Sequence, residues 1–298
     1  MPEHDWESKM VFNTATININ DKIHLLYRAS DENEKSYLGY ARTKDGFNID
    51  ERLDTPVFSP ESYIDCHGVE DPRLSRIGDT LYMTYTAYGE IPNMEFDRTR
   101  YTKYLPYMYQ IGLTSISVQD FENHEWNFSK RIYPLKRVKD KNCVIFPALF
   151  NGNHVIYHRL EPHIWVTVAE YISEWENHNI LMSPEQEWEF FKIGAGPPPI
   201  ETEKGWLFIY HAVSRKMIYR LGFAFIDLYD PTHIIYRHNE PIFEPETQYE
   251  KNGVVSNVVF TCGAALLDGT VFVYYGGADT VIGVATAPLE KFFELAGL

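Results

Sequence analysis

Residues 206–213, WLFIYHAV, lead into residues 219–231, YRLGFAFIDLYDP. The first is an apolar run of strand length centred on Tyr210, and the second is rich in aromatic and small residues around Gly222. The same pairing recurs on either side: HLLYRAS (24–30) with YLGYARTKDG (37–46), LYMTYTAYG (81–89) with QIGLTSISVQDF (110–121), HVIYHRL (154–160) with HIWVTVAEYISEW (163–175), and VFVYYGGAD (271–279) with VIGVATAPLEKF (281–292). The central tyrosines are Tyr27, Tyr85, Tyr157, Tyr210 and Tyr274, between about 50 and about 70 residues apart. Five such units, with turn signals at Asp45-Gly46, Asn151-Gly152 and Asp268-Gly269, predict an all-β chain folded as a single five-bladed β-propeller over residues 1–298. A two-sheet sandwich is the competing architecture, but five units leave little material for a second domain. Between the strands of the second unit, Glu90 to Tyr109 forms a long aromatic and charged insertion, either a binding loop or a surface excursion.

Composition narrows the function. The net charge of −15, from 42 acidic and 27 basic side chains, disfavours nucleic acid and anionic membrane as partners, so an anionic ligand needs a local basic pocket. Three scattered cysteines, Cys66, Cys143 and Cys262, have no metal-ligand spacing and suit reduced thiols. The polar start MPEHDWESKM does not read as a secretory signal, and no apolar stretch approaches the roughly 20 residues of a membrane helix. A cytoplasmic protein without a membrane partner is the expectation. Aromatic residues make up 15%, which fits both stacked sheets and a sugar site lined by rings.

The segment GVEDPR (68–73) sets Glu70, Asp71 and Arg73 just ahead of a strand. A neighbouring carboxylate can raise the proton affinity that a general acid needs, and Arg73 can fix its orientation. Taken alone, EDPR is more often a turn with an ion pair. Lys141, Arg159, Lys192 and His211 fall at strand ends of successive units, where such groups are usually solvated. Recurrence at one place per unit would gather them into an anion pocket. KIGAGPPPI (192–200) is a stiff connector beside them, and Asp279 either binds sugar hydroxyls or closes a hairpin. No Walker A, GxSxG, GxGxxG or HExxH pattern is present.

Taken in order, GVEDPR, FPALFNGNHVIYHR, KIGAGPPPI, YRLGFAFIDLYDP and NVVFTCGAALLDGTVFVYYGGAD resemble glycoside hydrolase family 130, over about Asn13 to Phe293. The resemblance implies a five-bladed propeller and inverting phosphorolysis of a β-mannoside to α-mannose 1-phosphate. It implies Asp71 as the acid, acting through the mannose 3-hydroxyl, and Lys141, Arg159, Lys192, His211 and Tyr219 around phosphate. Arg28, Glu70, Arg73 and Asp279 would then line the sugar. Inorganic phosphate is the implied co-substrate, with no metal or organic cofactor, and a homo-oligomer is allowed. Lys141 departs from the arginine common in the family's phosphorylases, keeping the charge without the bidentate fork. Two alternatives stay open: an inverting β-mannosidase using water, with Glu250 or another acid as base, and a non-catalytic sugar-binding propeller. Linkage and acceptor are not legible.

Overall fold

The structure is a computed structural model that describes residues 4–90, 107–135 and 138–298. Most of the Glu90 to Tyr109 insertion therefore lies outside the described residues. Strands dominate, and they form five antiparallel units in chain order. The first contains β1 (Met10–Ile19), β2 (Lys22–Ser30), β3 (Ser36–Thr43) and β4 (Ile49–Arg52). The second contains β5 (Gly68–Ile77), β6 (Thr80–Glu90) and β7 (Tyr107–Ser117), and touches the first sheet through one parallel pair, Ser36 with Gly68. The third contains β8 (Lys141–Ile145), β9 (His154–Leu160), β10 (His163–Ala169) and β11 (Asn179–Met182). In the fourth, β12 (Lys192–Ala195), β14 (Gly205–Val213), β15 (Tyr219–Ile226) and β16 (Ile234–Arg237) lie in that order, with β13 (Ile200–Thr202) also on β14. The fifth contains β17 (Val259–Leu267), β18 (Thr270–Gly277) and β19 (Val281–Pro288), followed by the helix Leu289–Ala296.

The hydrophobic core is divided between the units. Leu26, Leu38, Leu74 and Tyr85 join the first to the second; Leu113, Ile145 and Ile156 join the second to the third. Tyr157, Ile164, Phe208 and Ala224 join the third to the fourth, and Phe223, Phe225, Val271 and Phe292 join the fourth to the fifth. A further cluster, with Ile23, Leu25, Ala265 and Phe272, joins the fifth back to the first. The Thr16 hydroxyl donates to the Ala264 carbonyl across that same seam. Each sheet thus buries both faces against neighbours, which explains why central strands such as β14 read as continuous apolar runs rather than alternating ones.

The repeated tyrosine has a packing reason. Tyr27, Tyr85 and Tyr210 each pair across the sheet with a glycine (Gly39, Gly112 and Gly222) and lay the ring over it. A Cβ on those glycines would stand 2.3, 2.3 and 2.7 Å from ring carbons. In the fifth unit this role falls to Tyr275, over Gly283, and not to Tyr274 as the spacing of the repeat suggests. Side chains alternate faces, so Tyr274 points the other way and donates to the Gly46 carbonyl. The third unit has Val166 opposite Tyr157. Beneath three of these rings an aromatic-glutamate pair recurs: Glu7, Glu189 and Glu250, following Trp6, Trp188 and Tyr249, accept from the hydroxyls of Tyr27, Tyr210 and Tyr275.

Candidate active site

The first strands of the units meet on one side, and the chain breaks its ladder there in a consistent way. Pairing registers shift between Phe12 and Thr14, between Glu70 and Arg73, between Lys141 and Val144, and between Thr261 and Gly263. At the first three bulges Asn13, Asp71 and Asn142 take left-handed backbone, with φ of 46°, 48° and 56°. Asn and Asp tolerate this conformation because their short side chains can bond locally. Bulges re-aim side chains, and these three turn polar groups toward a shared centre. Pro72, lacking an N–H, costs the ladder nothing at such a break.

The centre is a cavity of about 460 Å³. Asn13, Arg28, Asp71, Tyr109, Lys141, Arg159, Lys192, Tyr219 and Asp279 line it, together with Asp140, Asn142, Glu161 and Phe260. The Asp71 Oδ1 accepts from Asn13 Nδ2 at 2.9 Å and from Arg28 Nη1 at 3.1 Å. Arg28 also donates from Nη2 to Glu70 Oε1 at 2.7 Å, and its guanidinium lies 4.5 Å from the Phe12 ring centroid. Lys141 Nζ sits 3.4 Å from Glu70 Oε2 and 3.8 Å from the Tyr109 centroid.

Three sequence-predicted residues stand behind this wall. Glu70 is buried and engaged by Arg28 and Lys141. Arg73 is buried with its donors directed to the carbonyls of Gly196, Asp71 and Ala195 and to Asn142 Oδ1. It therefore clamps three units together through KIGAGPPPI instead of facing the cavity. His211 is also fully buried; burial above all, then Arg159, Arg73 and Lys192, hold its proton affinity well below normal, so it contributes no positive charge. Asn142 Oδ1 accepts from Arg73, which turns Asn142 Nδ2 toward His211 Nε2 at 3.1 Å. The neutral ring then carries its proton on Nδ1, a buried donor without a partner among the described residues. Gly194 makes room for this contact, since a Cβ would stand 2.6 Å from both Asn142 and His211.

The electrostatics overturn one expectation from sequence. Burial alone would raise the proton affinity of Asp71, but Arg28, Lys141 and Arg73 outweigh it and lower the pKa to about 2. Asp279 is the carboxyl raised instead, to about 6, by burial and then by the charge of Asp71. Elsewhere in the lining, burial loosens the protons of Arg159 and Lys192, helped by the charge of Arg73 on the former and of Arg159 on the latter, and Arg159 Nε has no partner among the described residues. Two largely desolvated cations, one with a free Nε donor, make a seat for an anion. Glu250, the suggested base, lies elsewhere, capping the backbone of Glu246 and Thr247 and accepting from Tyr275.

Several residues that sequence reasoning missed organise this site. The Asp140 Oδ1 accepts the backbone N–H groups of Lys141 at 2.7 Å and Arg159 at 3.0 Å, replacing ladder bonds lost at the bulge. Its Oδ2 lies 2.6 Å from His158 Nδ1, and His158 Nε2 lies 2.8 Å from His178 Nδ1. Nothing in the local sequence marks this chain, because its members come from three separate segments.

A cavity lined by both carboxylates and cations, on an all-β frame, has the character of a site in a carbohydrate-active protein. The chain belongs to glycoside hydrolase family 130: the family's sequence profile, described as β-1,4-mannooligosaccharide phosphorylase, matches residues 3–297. Among similar proteins, a 1,2-β-oligomannan phosphorylase of Thermoanaerobacter sp. (strain X514) is 41% identical, covering 97% of this chain and 93% of its own. A β-1,2-mannobiose phosphorylase of the same organism is 39% identical over the same shares. The solved structure of the Listeria innocua β-1,2-mannobiose phosphorylase with β-1,2-mannobiose superposes with a TM-score of 0.80 at 24% identity, covering 97% of this chain and 92% of that one.

Proposed function

We propose that this protein is an inverting β-mannoside phosphorylase acting on β-1,2-linked mannosides, and that its five units are the blades of a propeller with the cavity at the hub. The observation that carries the reading is the joint presence of Asp71, Arg159 and Lys192 in one cavity of about 460 Å³. Two relatives named for β-1,2-linked mannans, at 41% and 39% identity, support the linkage. The cyclic sharing of cores supports the propeller.

Phosphate on Arg159, Lys192 and Tyr219 attacks the anomeric carbon from the face opposite the leaving group. A P–O–C1 bond forms while the C1–O glycosidic bond breaks, with its electron pair moving onto the leaving oxygen. Asp71 supplies the proton for that oxygen, relayed by the mannose 3-hydroxyl, and the proton of hydrogen phosphate restores Asp71. Asp71 is ionised in the free protein, so it serves as the acid only once bound phosphate adds negative charge nearby and bound sugar removes water, both of which raise its proton affinity. Arg28, Asp279 and Asn13 hold the mannose. No metal or organic cofactor enters the scheme. The cytoplasm is the proposed compartment, in keeping with three unpaired thiols.

The test is incubation with β-1,2-mannobiose with and without inorganic phosphate, followed by phosphorus NMR. Phosphate-dependent α-mannose 1-phosphate is the expected product. Free mannose released at the same rate without phosphate would replace this reading with the β-mannosidase alternative.

A further inference from the structure

Glu161 lies in the cavity wall two residues beyond Arg159. Its Oε1 accepts from Lys192 Nζ at 2.9 Å and lies 3.4 Å from Arg159 Nη2. A cation at the end of β9 and another at the start of β12 therefore converge on one carboxylate oxygen, as they would on one oxygen of a phosphate. The three side chains differ in freedom. Arg159 and Lys192 are 8% and 14% exposed, whereas Glu161 is 52% exposed. Of the three, the carboxylate is the least buried and so the freest to move. Phosphate bound on both cations would bring up to two negative charges against it, so the anions would exclude each other.

We infer that Glu161 is an internal competitor for the phosphate seat, occupying Lys192 and Arg159 between turnovers and yielding them to phosphate. This rests on the phosphorolysis reading. Its carboxylate neutralises part of the cationic wall in the free protein and weakens phosphate binding by the free energy of the contact it gives up. It acts equally on the sugar phosphate, which leaves the same cations, so it speeds product release as it weakens substrate binding.

The variant is Glu161→Gln, isosteric and uncharged. The KM for phosphate is expected to fall roughly two- to fivefold, the range of a partly exposed ion pair. The KM for α-mannose 1-phosphate in the synthetic direction should fall by a similar factor, with the KM for mannoside unchanged. Glu161→Asp, which keeps the charge but shortens the reach, should fall between wild type and Glu161→Gln. Calorimetric titration of inorganic phosphate into the sugar-free protein should show the same tightening without turnover. A phosphate KM that rises in Glu161→Gln, in a protein with wild-type melting behaviour, would make Glu161 a holder of the two cations and overturn the inference; an unchanged KM would overturn it too. Phosphate-independent cleavage by wild type would defeat the phosphorolysis reading alone, since the calorimetric comparison would still decide what Glu161 does.

Discussion

Replacing Asp279 by Asn is expected to make the protein more stable and less able to bind mannoside. Asp279 sits at φ 52° in the hairpin joining β18 and β19, a conformation Asn adopts readily, so the backbone is kept. Burial, the charge of Asp71 and, to a lesser extent, Glu70 raise its pKa from 3.8 to about 6, against the opposing pull of Arg28 and Lys141. A carboxyl whose proton affinity is raised by folding stabilises the fold at low pH, and that contribution is lost as pH rises through the folded value. The difference between 3.8 and 6 corresponds to about 3 kcal/mol once Asp279 is ionised in both states. Asn carries no charge and escapes this penalty. The stability gap between variant and wild type should be small at pH 4 and grow to about 3 kcal/mol at pH 8, or roughly 5 °C in Tm for a chain of this size. Denaturant titrations from pH 4 to pH 8 measure it. A variant no more stable than wild type at pH 8, or a gap that does not change with pH, would refute the electrostatic account of the site.

Asp71→Asn should lower kcat/KM for mannobiose by about 10² to 10⁴, the usual worth of a general acid. An aryl β-mannoside with a good leaving group should be affected far less, and steady-state kinetics on both substrates checks this. Asp140→Asn should raise the KM for phosphate more than the KM for mannoside, because Asp140 holds the backbone of Lys141 and Arg159. The same change should cost about 1–3 kcal/mol of stability through the disturbed His158 contact, read by denaturant titration. Gly222→Ala sets a Cβ against the Tyr210 and Trp188 rings and should destabilise by about 1–3 kcal/mol, visible as a lower Tm.

The strand pairs were legible because each repeat must bury a Tyr-centred strand on both faces, and that demand is written locally. The one-residue error at Tyr274 arose because Tyr274 and Tyr275 are adjacent, and only the pairing with Gly283 tells which face each takes. The cationic set was readable as a recurrence, yet recurrence says nothing of depth. Arg73 and His211 are enclosed, one spent mainly on carbonyls and the other neutral. Asn13 and Asn142 left no signal beyond a tolerance for left-handed backbone.

The all-β character and the family could be read from the chain alone, because strand propensity and short motifs such as GVEDPR and KIGAGPPPI act over short stretches. The charge states required the folded arrangement. The order of proton affinity between Asp71 and Asp279, the neutrality of His211 and the hold of Glu161 on Lys192 all depend on distances between residues from different units. Those distances are fixed by how the units pack against one another, which no single stretch of chain encodes.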